Sequence, residues 1–356
     1  MDYNAYRRKT IPVRVGNIVI GGDAPVSVQS MTNVPSSDFG ALYAQMKELE
    51  NAGCDIVRMT VPDMESVKVL AEIKASDVKM PVVADIHFNY RLAIEAANAG
   101  ADKIRINPGN IGGEDRVKEV VRACNARNLP IRIGVNSGSV EKDMLIKYGG
   151  PTPEALAESA LYHASLLEKN DFDRIVISVK SSDVRTTIGA YRLLAEKCPY
   201  PLHIGVTEAG TYNMGIVKSF VGIGSLLSDG IGDTVRVSLT DSPVREVVEG
   251  KRLLDGLGIG KSRINITSCP TCGRTRINLI DIVNDLEAHL DEMHPSREIR
   301  VAVMGCAVNG PGEAREADIG VAGGDGDALL FRHGEVIRKI PQDRIREILT
   351  EEINKL

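Results

Sequence analysis

A (β/α)8 barrel followed by a small α+β domain is the architecture this sequence predicts, and three observations carry it. A strand-then-helix rhythm repeats eight times over about 230 residues. No Gly-x-Gly-x-x-Gly follows the first predicted strand, as a dinucleotide-binding doubly wound sheet requires. The rhythm then stops at residues 256–261 (GLGIGK), beyond which the order of elements changes. Pattern alone does not separate a barrel from an open doubly wound sheet; the count of eight and the missing glycine motif favour the barrel. At 356 residues the chain exceeds what one core usually supports. Two domains are therefore expected, residues 1–258 and 259–356.

Residues 13–22 alternate like a hairpin. Short runs rich in Val and Ile then mark strands at 26–31, 56–61, 82–86, 103–107, 131–135, 174–179, 202–206 and 234–239. Helical periodicity fills the intervals at 41–52, 65–74, 91–99, 116–127, 153–169, 184–197, 215–227 and 244–257. Past the linker a helix is expected at 279–290, strands at 299–304 and 319–321, a hairpin of 328–331 with 336–340, and a closing helix at 344–354. That order describes a mixed sheet in a small domain. Residues 323–327 (GGDGD) form a turn and not a calcium loop, because no Glu stands at the twelfth position.

Hydrophobic residues at 43% and charged residues at 26% describe a globular protein, and no apolar run approaches the ~20 residues that span a bilayer. The charged N-terminus lacks the apolar segment of a signal peptide, so a reducing, cytoplasmic location is expected. A net charge of −5 with 4% aromatics and no Trp argues against a nucleic-acid surface. Cys54, Cys124 and Cys198 sit in or beside apolar stretches, as small core residues do.

In a barrel, functional groups gather at the C-terminal ends of the strands. Those ends carry Gln29, Met31 and Asn33; Arg58 and Thr60; Asp85 and His87; Arg105 and Asn107; Arg132 and Asn136; Lys180; Thr207 and Glu208; Arg236 and Ser238. Any one arginine here is as readily the partner of Asp85 or Glu208 inside the barrel. Five cations together, Arg58, Arg105, Arg132, Lys180 and Arg236, are costly to bury without an anion and point to a phosphate or diphosphate. Asp85, His87 and Glu208 stand among them as candidate proton donors or acceptors; a carboxylate flanked by arginines should stay ionised.

The second domain carries Cys269 and Cys272 in Cys-x-x-Cys spacing, answered by Cys306. Glycine and proline beside the cysteines supply tight turns that free backbone N–H groups for sulfur. Structural zinc prefers four Cys or His ligands, and the nearest histidine, His294, falls in a helix-to-strand connection. A thiol redox pair is a further alternative. Three thiolates with a fourth, weaker ligand are a way to leave one iron of a cluster open, and Glu313, set out by Gly310, Pro311 and Gly312, is the oxygen candidate.

Four segments, 28–33 (VQSMTN), 222–240 (GIGSLLSDGIGDTVRVSLT), 268–274 (SCPTCGR) and 303–314 (VMGCAVNGPGEA), closely resemble the 4-hydroxy-3-methylbut-2-enyl diphosphate synthases of the methylerythritol phosphate route to isoprenoids. The resemblance covers nearly the whole chain in its bacterial two-domain form, with residues 34–37 (VPSS) departing from the usual Thr-rich continuation. It implies an oxidoreductase that opens the ring of 2-C-methyl-D-erythritol 2,4-cyclodiphosphate reductively and removes water. It also implies a [4Fe–4S] cluster held by Cys269, Cys272, Cys306 and Glu313, a diphosphate held by the barrel cations, and reduced flavodoxin or ferredoxin as electron donor.

The predicted eighth helix ends at the barrel face opposite the mouth, and about eight residues, reaching ~26 Å at most, lead on to the cysteine domain. A homodimer in which each cysteine domain serves the partner's barrel is expected from that reach.

Overall fold

A computed structural model describes residues 3–260, 264–290, 293, 299–307, 312 and 315–356. It falls into two compact units, Met1–Gly260 and Lys261–Leu356.

In the first unit an antiparallel hairpin, β1 (Val13–Val15) and β2 (Ile18–Ile20), precedes eight parallel strands. These are β3 (Ser27–Met31), β4 (Ile56–Thr60), β5 (Val82–Asp85), β6 (Lys103–Ile106), β7 (Ile131–Asn136), β8 (Ile175–Lys180), β9 (His203–Ile204) and β10 (Thr234–Val235). Their order, β8-β7-β6-β5-β4-β3-β10-β9, closes on itself through a parallel bridge between Ile177 and Leu202. Strands buried on both faces need apolar residues on the helix side, and Val57, Met59, Ile104, Ile106, Ile133 and Ile177 supply them. Val15 and Ile20 of the hairpin pack with Ile56 and Val83, so the N-terminal end of the barrel is plugged with apolar side chains. Helices follow the strands with caps that satisfy their free amides. Asp38, Asp63, Thr152 and Asp183 accept from the backbone N–H three residues on.

The helices of the rhythm lie at Phe39–Asn51, Met64–Ala75, Tyr90–Asn98, Glu114–Ala126, Pro153–Glu168, Val184–Lys197, Tyr212–Ser228 and Pro243–Gly256. Short helices at Pro108–Ile111 and Lys142–Tyr148 interrupt the loops after β6 and β7 and have no counterpart in the expected pattern. β9 and β10 are two residues long where five and six were expected.

The second unit is a five-stranded mixed sheet, β11 (Ile264–Ser268), β12 (Ile299–Met304), β13 (Ile319–Gly323), β14 (Asp327–Arg332) and β15 (Glu335–Pro341), in sequential order. β11 to β13 are parallel and β13 to β15 antiparallel. β12 alternates: Val301 and Val303 face the helices Leu279–Leu290 and Ile345–Ile353, joining Leu286, Ile348 and Leu349, while Ala302 and Met304 pack with Phe331 on the other face. Phe331 lies over Gly320, where a Cβ would stand 2.4 Å from its ring. No helix among the described residues is long and apolar enough to cross a membrane.

Candidate active site

The strand registers sort the inward side chains into layers of four drawn from alternate strands. Gln29, Val83, Arg132 and His203 make one; Arg58, Arg105 and Ser178 lie above it; Met31, Asp85 and Gly134 come next; Thr60 and Lys180 lie nearer the mouth. The same alternation carried past the ends of β6, β9 and β10 adds Arg236, Gly205, and then Asn107 and Ser238 to the upper three layers. The middle of this barrel is therefore cationic where aliphatic side chains are usual. The two glycines give long cations room to cross the axis. A Cβ on Gly134 would stand 2.5 Å from Arg105 Nε, and one on Gly205 would stand 3.0 Å from Lys180 Nζ.

Asp85 is the anionic centre of the group. Arg105 Nη1 donates to its Oδ1 at 3.0 Å, and Arg58 Nε and His87 Nε2 each lie 3.7 Å from Oδ2. Burial alone would raise the Asp85 pKa, but Arg58, Arg105, His87 and Arg132 outweigh it and hold the carboxyl down to about 2. Arg236 lies 3.4 Å from Glu246, a buried carboxylate that also accepts from Ser30 Oγ at 3.1 Å and Leu239 N–H at 2.9 Å. Arg58 and Arg236 both reach the Met31 sulfur. Burial lowers the Arg58 pKa to about 10 despite Asp85.

Arg132 and Lys180 have no carboxylate partner among the described residues. Arg132 is 1% exposed, its Nε and Nη1 make no hydrogen bond, and burial together with Arg58 and Arg105 lowers its pKa well below the usual value. Lys180 Nζ lies 3.2 Å from His203 Nε2, and burial and Arg132 likewise lower its pKa. A buried cation without an anion is strongly unfavourable, and a ligand that brings negative charge would relieve it.

Glu208 is exposed and makes no ion pair among the described residues; the inner carboxylate on that side is Glu246 instead. Its backbone adopts a left-handed φ of 52°, and it lines a cavity of about 200 Å³ with Thr207, Arg236, Ser238 and Glu246. Asn136 ends β7 beside Lys180, its register partner on β8. A larger hollow, about 400 Å³, lies in the second unit among Ile282, Asp343 and Arg346 and carries none of this chemistry.

The sequence reading passed over Glu246, His203, Lys103 and the two inward glycines. Lys103 is buried with no partner for Nζ among the described residues. The available signals were glycines interrupting apolar strand runs, Ile133-Gly134-Val135 and Ile204-Gly205-Val206, and the position of Lys103 two residues before Arg105. Glu141 and His163, 2.5 Å apart beside Gly109, were missed as well.

In the second unit, Cys269 and Cys306 follow the adjacent parallel strands β11 and β12, which pair Ser268 with Val303. The turn after β12 brings Gly305 N–H to 3.2 Å from Cys269 Sγ, while Cys272 N–H donates to Thr275 Oγ1 at 3.1 Å. The Arg274 backbone N–H, with its side chain and Thr275, lowers the Cys272 pKa against a smaller opposing effect of burial. By contrast, burial pushes the Cys54 and Cys124 thiols up to about 12. The lowered Cys272 thiol and the Gly305 N–H···Sγ contact at Cys269 fit iron–sulfur ligation in the second unit. Among the described residues no group of three His, Cys, Asp or Glu is close enough to hold one metal ion. Glu313 and His294 lie outside the described residues.

Comparison with known proteins agrees with both units. The GcpE TIM-barrel domain matches residues 10–251 and the GcpE protein C-terminal domain matches 265–355. Relatives named 4-hydroxy-3-methylbut-2-en-1-yl diphosphate synthase (flavodoxin) include that of Ruminiclostridium cellulolyticum, 57% identical with 98% of each chain covered. That of Clostridium perfringens is 55% identical with 98% of each chain covered, and that of Geobacter sulfurreducens 53% with the same coverage. Among solved structures, phospho-2-dehydro-3-deoxyheptonate aldolase of Thermotoga maritima has a TM-score of 0.51 at 14% identity, covering 71% of this chain and 76% of that one. Type I 3-dehydroquinate dehydratase of Clostridium difficile has a TM-score of 0.50 at 15% identity, covering 67% and 96%. These two likenesses concern the barrel fold alone.

Proposed function

The chain belongs to the GcpE family, and from that premise we propose that it forms 4-hydroxy-3-methylbut-2-enyl diphosphate from 2-C-methyl-D-erythritol 2,4-cyclodiphosphate. The observation that supports this most is the pair Arg132 and Lys180, buried cations without a carboxylate partner among the described residues. In the overall reaction two electrons and one proton enter, two C–O bonds of the substrate break, an alkene forms, and water leaves. The ring-opened diphosphate gains a negative charge, which the cationic barrel favours electrostatically.

Arg58, Arg105, Arg132, Lys180 and Arg236 bind the diphosphate, with Asn136 and Ser238 as neutral donors beside it. Asp85, held ionised, orients Arg58 and Arg105 and balances part of their charge. Glu208, in the cavity it shares with Arg236 and Ser238, is the first candidate to deliver a proton to the departing hydroxyl. His87, exposed beside Asp85, is the second candidate for that role. The first 258 residues thus serve as the substrate domain and residues 259–356 as the cluster domain. Cys269, Cys272, Cys306 and Glu313 would hold a [4Fe–4S] cluster, which when bound supplies the electrons. Reduced flavodoxin, after the relatives' name, or ferredoxin replenishes them in the cytoplasm.

A homodimer completes the proposal. Helix Pro243–Gly256 runs away from the mouth, and the short connection to β11 favours service of the partner's barrel by each cysteine domain.

Protein purified anaerobically should be brown, with a broad visible band that fades on reduction. Glu313→Ala should lower iron content or cluster stability, whereas serine at Cys269, Cys272 or Cys306 should abolish activity, because thiolates hold iron far better than a carboxylate. A colourless protein that binds zinc would contradict the proposal.

A further inference from the structure

The ladder of the barrel is thinnest where it closes, between β8 and β9. Beside the Ile177–Leu202 bridge, Ile177 N–H donates to Pro201 O at 3.0 Å and Thr207 N–H to Ser181 O at 3.3 Å. Between these contacts the buried phenol of Tyr191, from helix Val184–Lys197, bridges the two strands. Its hydroxyl accepts from Val179 N–H at 3.2 Å and donates to His203 O at 2.5 Å. This clamp sets the spacing of Lys180 and His203, neighbouring inward side chains whose Nζ and Nε2 are 3.2 Å apart.

An ammonium has three N–H donors and no acceptor, and a neutral imidazole offers one lone pair. Lys180 is faced by Arg132 from β7, Arg236 from beyond β10, Arg58 from β4 and Arg105 from β6. His203 is faced by Lys180, Arg132, Lys103 and Arg58. Among the inward carboxylates, Asp85 is engaged by Arg58 and Arg105 and Glu246 by Arg236. A protonated His203 would meet the like charges of its four facing cations, whereas a neutral one can accept from Lys180 through Nε2. Gly205, two residues further along the chain from His203, leaves the ammonium its space.

Resting on the diphosphate reading above, we propose that His203 is a positioning residue: its Nε2 lone pair fixes the Lys180 ammonium so that the remaining N–H bonds meet a phosphate oxygen of the substrate. Tyr191 supports the arrangement by holding β9 at the required distance from Lys180.

The test is a double-mutant cycle on substrate affinity, measured by calorimetry with the full-length protein under anaerobic conditions without reductant. His203→Leu removes the lone pair and should weaken cyclodiphosphate binding ~10- to 100-fold, the range of a hydrogen bond to a charged group. His203→Gln, which keeps an acceptor, should recover most of that loss. In a Lys180→Met background His203→Leu should cost nothing further. Equal losses in both backgrounds, or parental affinity in His203→Leu, would overturn the proposal. Parental affinity in Lys180→Met would instead strike the diphosphate reading itself. Should His203→Leu fail to fold, Tyr191→Phe enters the same cycle: a loss confined to the Lys180 background supports the positioning role, and equal losses in both backgrounds overturn it.

Discussion

The guanidinium of Arg105 lies across Gly134, whose carbonyl oxygen accepts from Nη2 at 3.2 Å and whose missing Cβ would stand 2.7 Å from the same nitrogen. Glycine within a strand weakens it, and here the absent side chain is the space that lets Arg105 reach Asp85. Gly134→Ala should therefore push Arg105 off Asp85 and lower kcat/KM by ~10- to 100-fold, as an ångström-scale misplacement does. Gly256→Ala, with nothing within 4 Å of the new Cβ, serves as the control. Unchanged kinetics in Gly134→Ala would show that the guanidinium adjusts freely.

Arg132 places function against stability. Its buried guanidinium has unbonded Nε and Nη1 and no carboxylate partner among the described residues, so Arg132→Met should stabilise the free protein by about 1–4 kcal/mol while greatly weakening substrate binding. Urea unfolding without substrate reads the first effect, and a lower midpoint in Arg132→Met would contradict it.

Asp85 sets a pH window. Its folded pKa, about 2, lies below the unfolded value near ~3.9, so its contribution is fully present above the unfolded value and is lost as pH falls toward 2. Asp85→Asn should cost about 3–5 kcal/mol at neutral pH, because Arg58 and Arg105 lose their counter-charge. The difference from the parent should shrink as unfolding is measured at successively lower pH below ~4. A difference that stays constant would mean that Asp85 is not the ionised partner.

Much of this was legible in the sequence, for reasons that differ by element. Helices such as Val184–Lys197 and Leu279–Leu290 show their 3.6-residue period directly, and strands buried on both faces show as apolar runs. β11 escaped notice because its alternating Ile264 and Ile266 are followed at once by the cysteine turn. Cations at strand ends stood out against apolar neighbours. Their partners did not: Glu246 lies on a helix, where a carboxylate normally faces water, and only the barrel closure turns it toward Ser30 and Arg236. His203 was hidden in a similar way, since a strand of two paired residues leaves too short an alternation to show which side chain points inward.

Shared sites make a prediction about mixed dimers. Under the proposed function, a chain with Arg132→Ala and Lys180→Ala should fail to bind the substrate, and a chain with Cys306→Ser should fail to carry the cluster. After subunit exchange the heterodimer should regain activity, because one of its two sites receives both intact halves. No recovery despite demonstrated heterodimers would mean that each chain works alone.

The most direct measurement is anaerobic turnover of 2-C-methyl-D-erythritol 2,4-cyclodiphosphate by the cluster-loaded protein with an artificial one-electron reductant. The account predicts stoichiometric 4-hydroxy-3-methylbut-2-enyl diphosphate, two electrons consumed per product, and loss of turnover in Lys180→Met at a substrate concentration that saturates the parent. An unchanged cyclodiphosphate in the presence of a reducible, fully loaded cluster would contradict it.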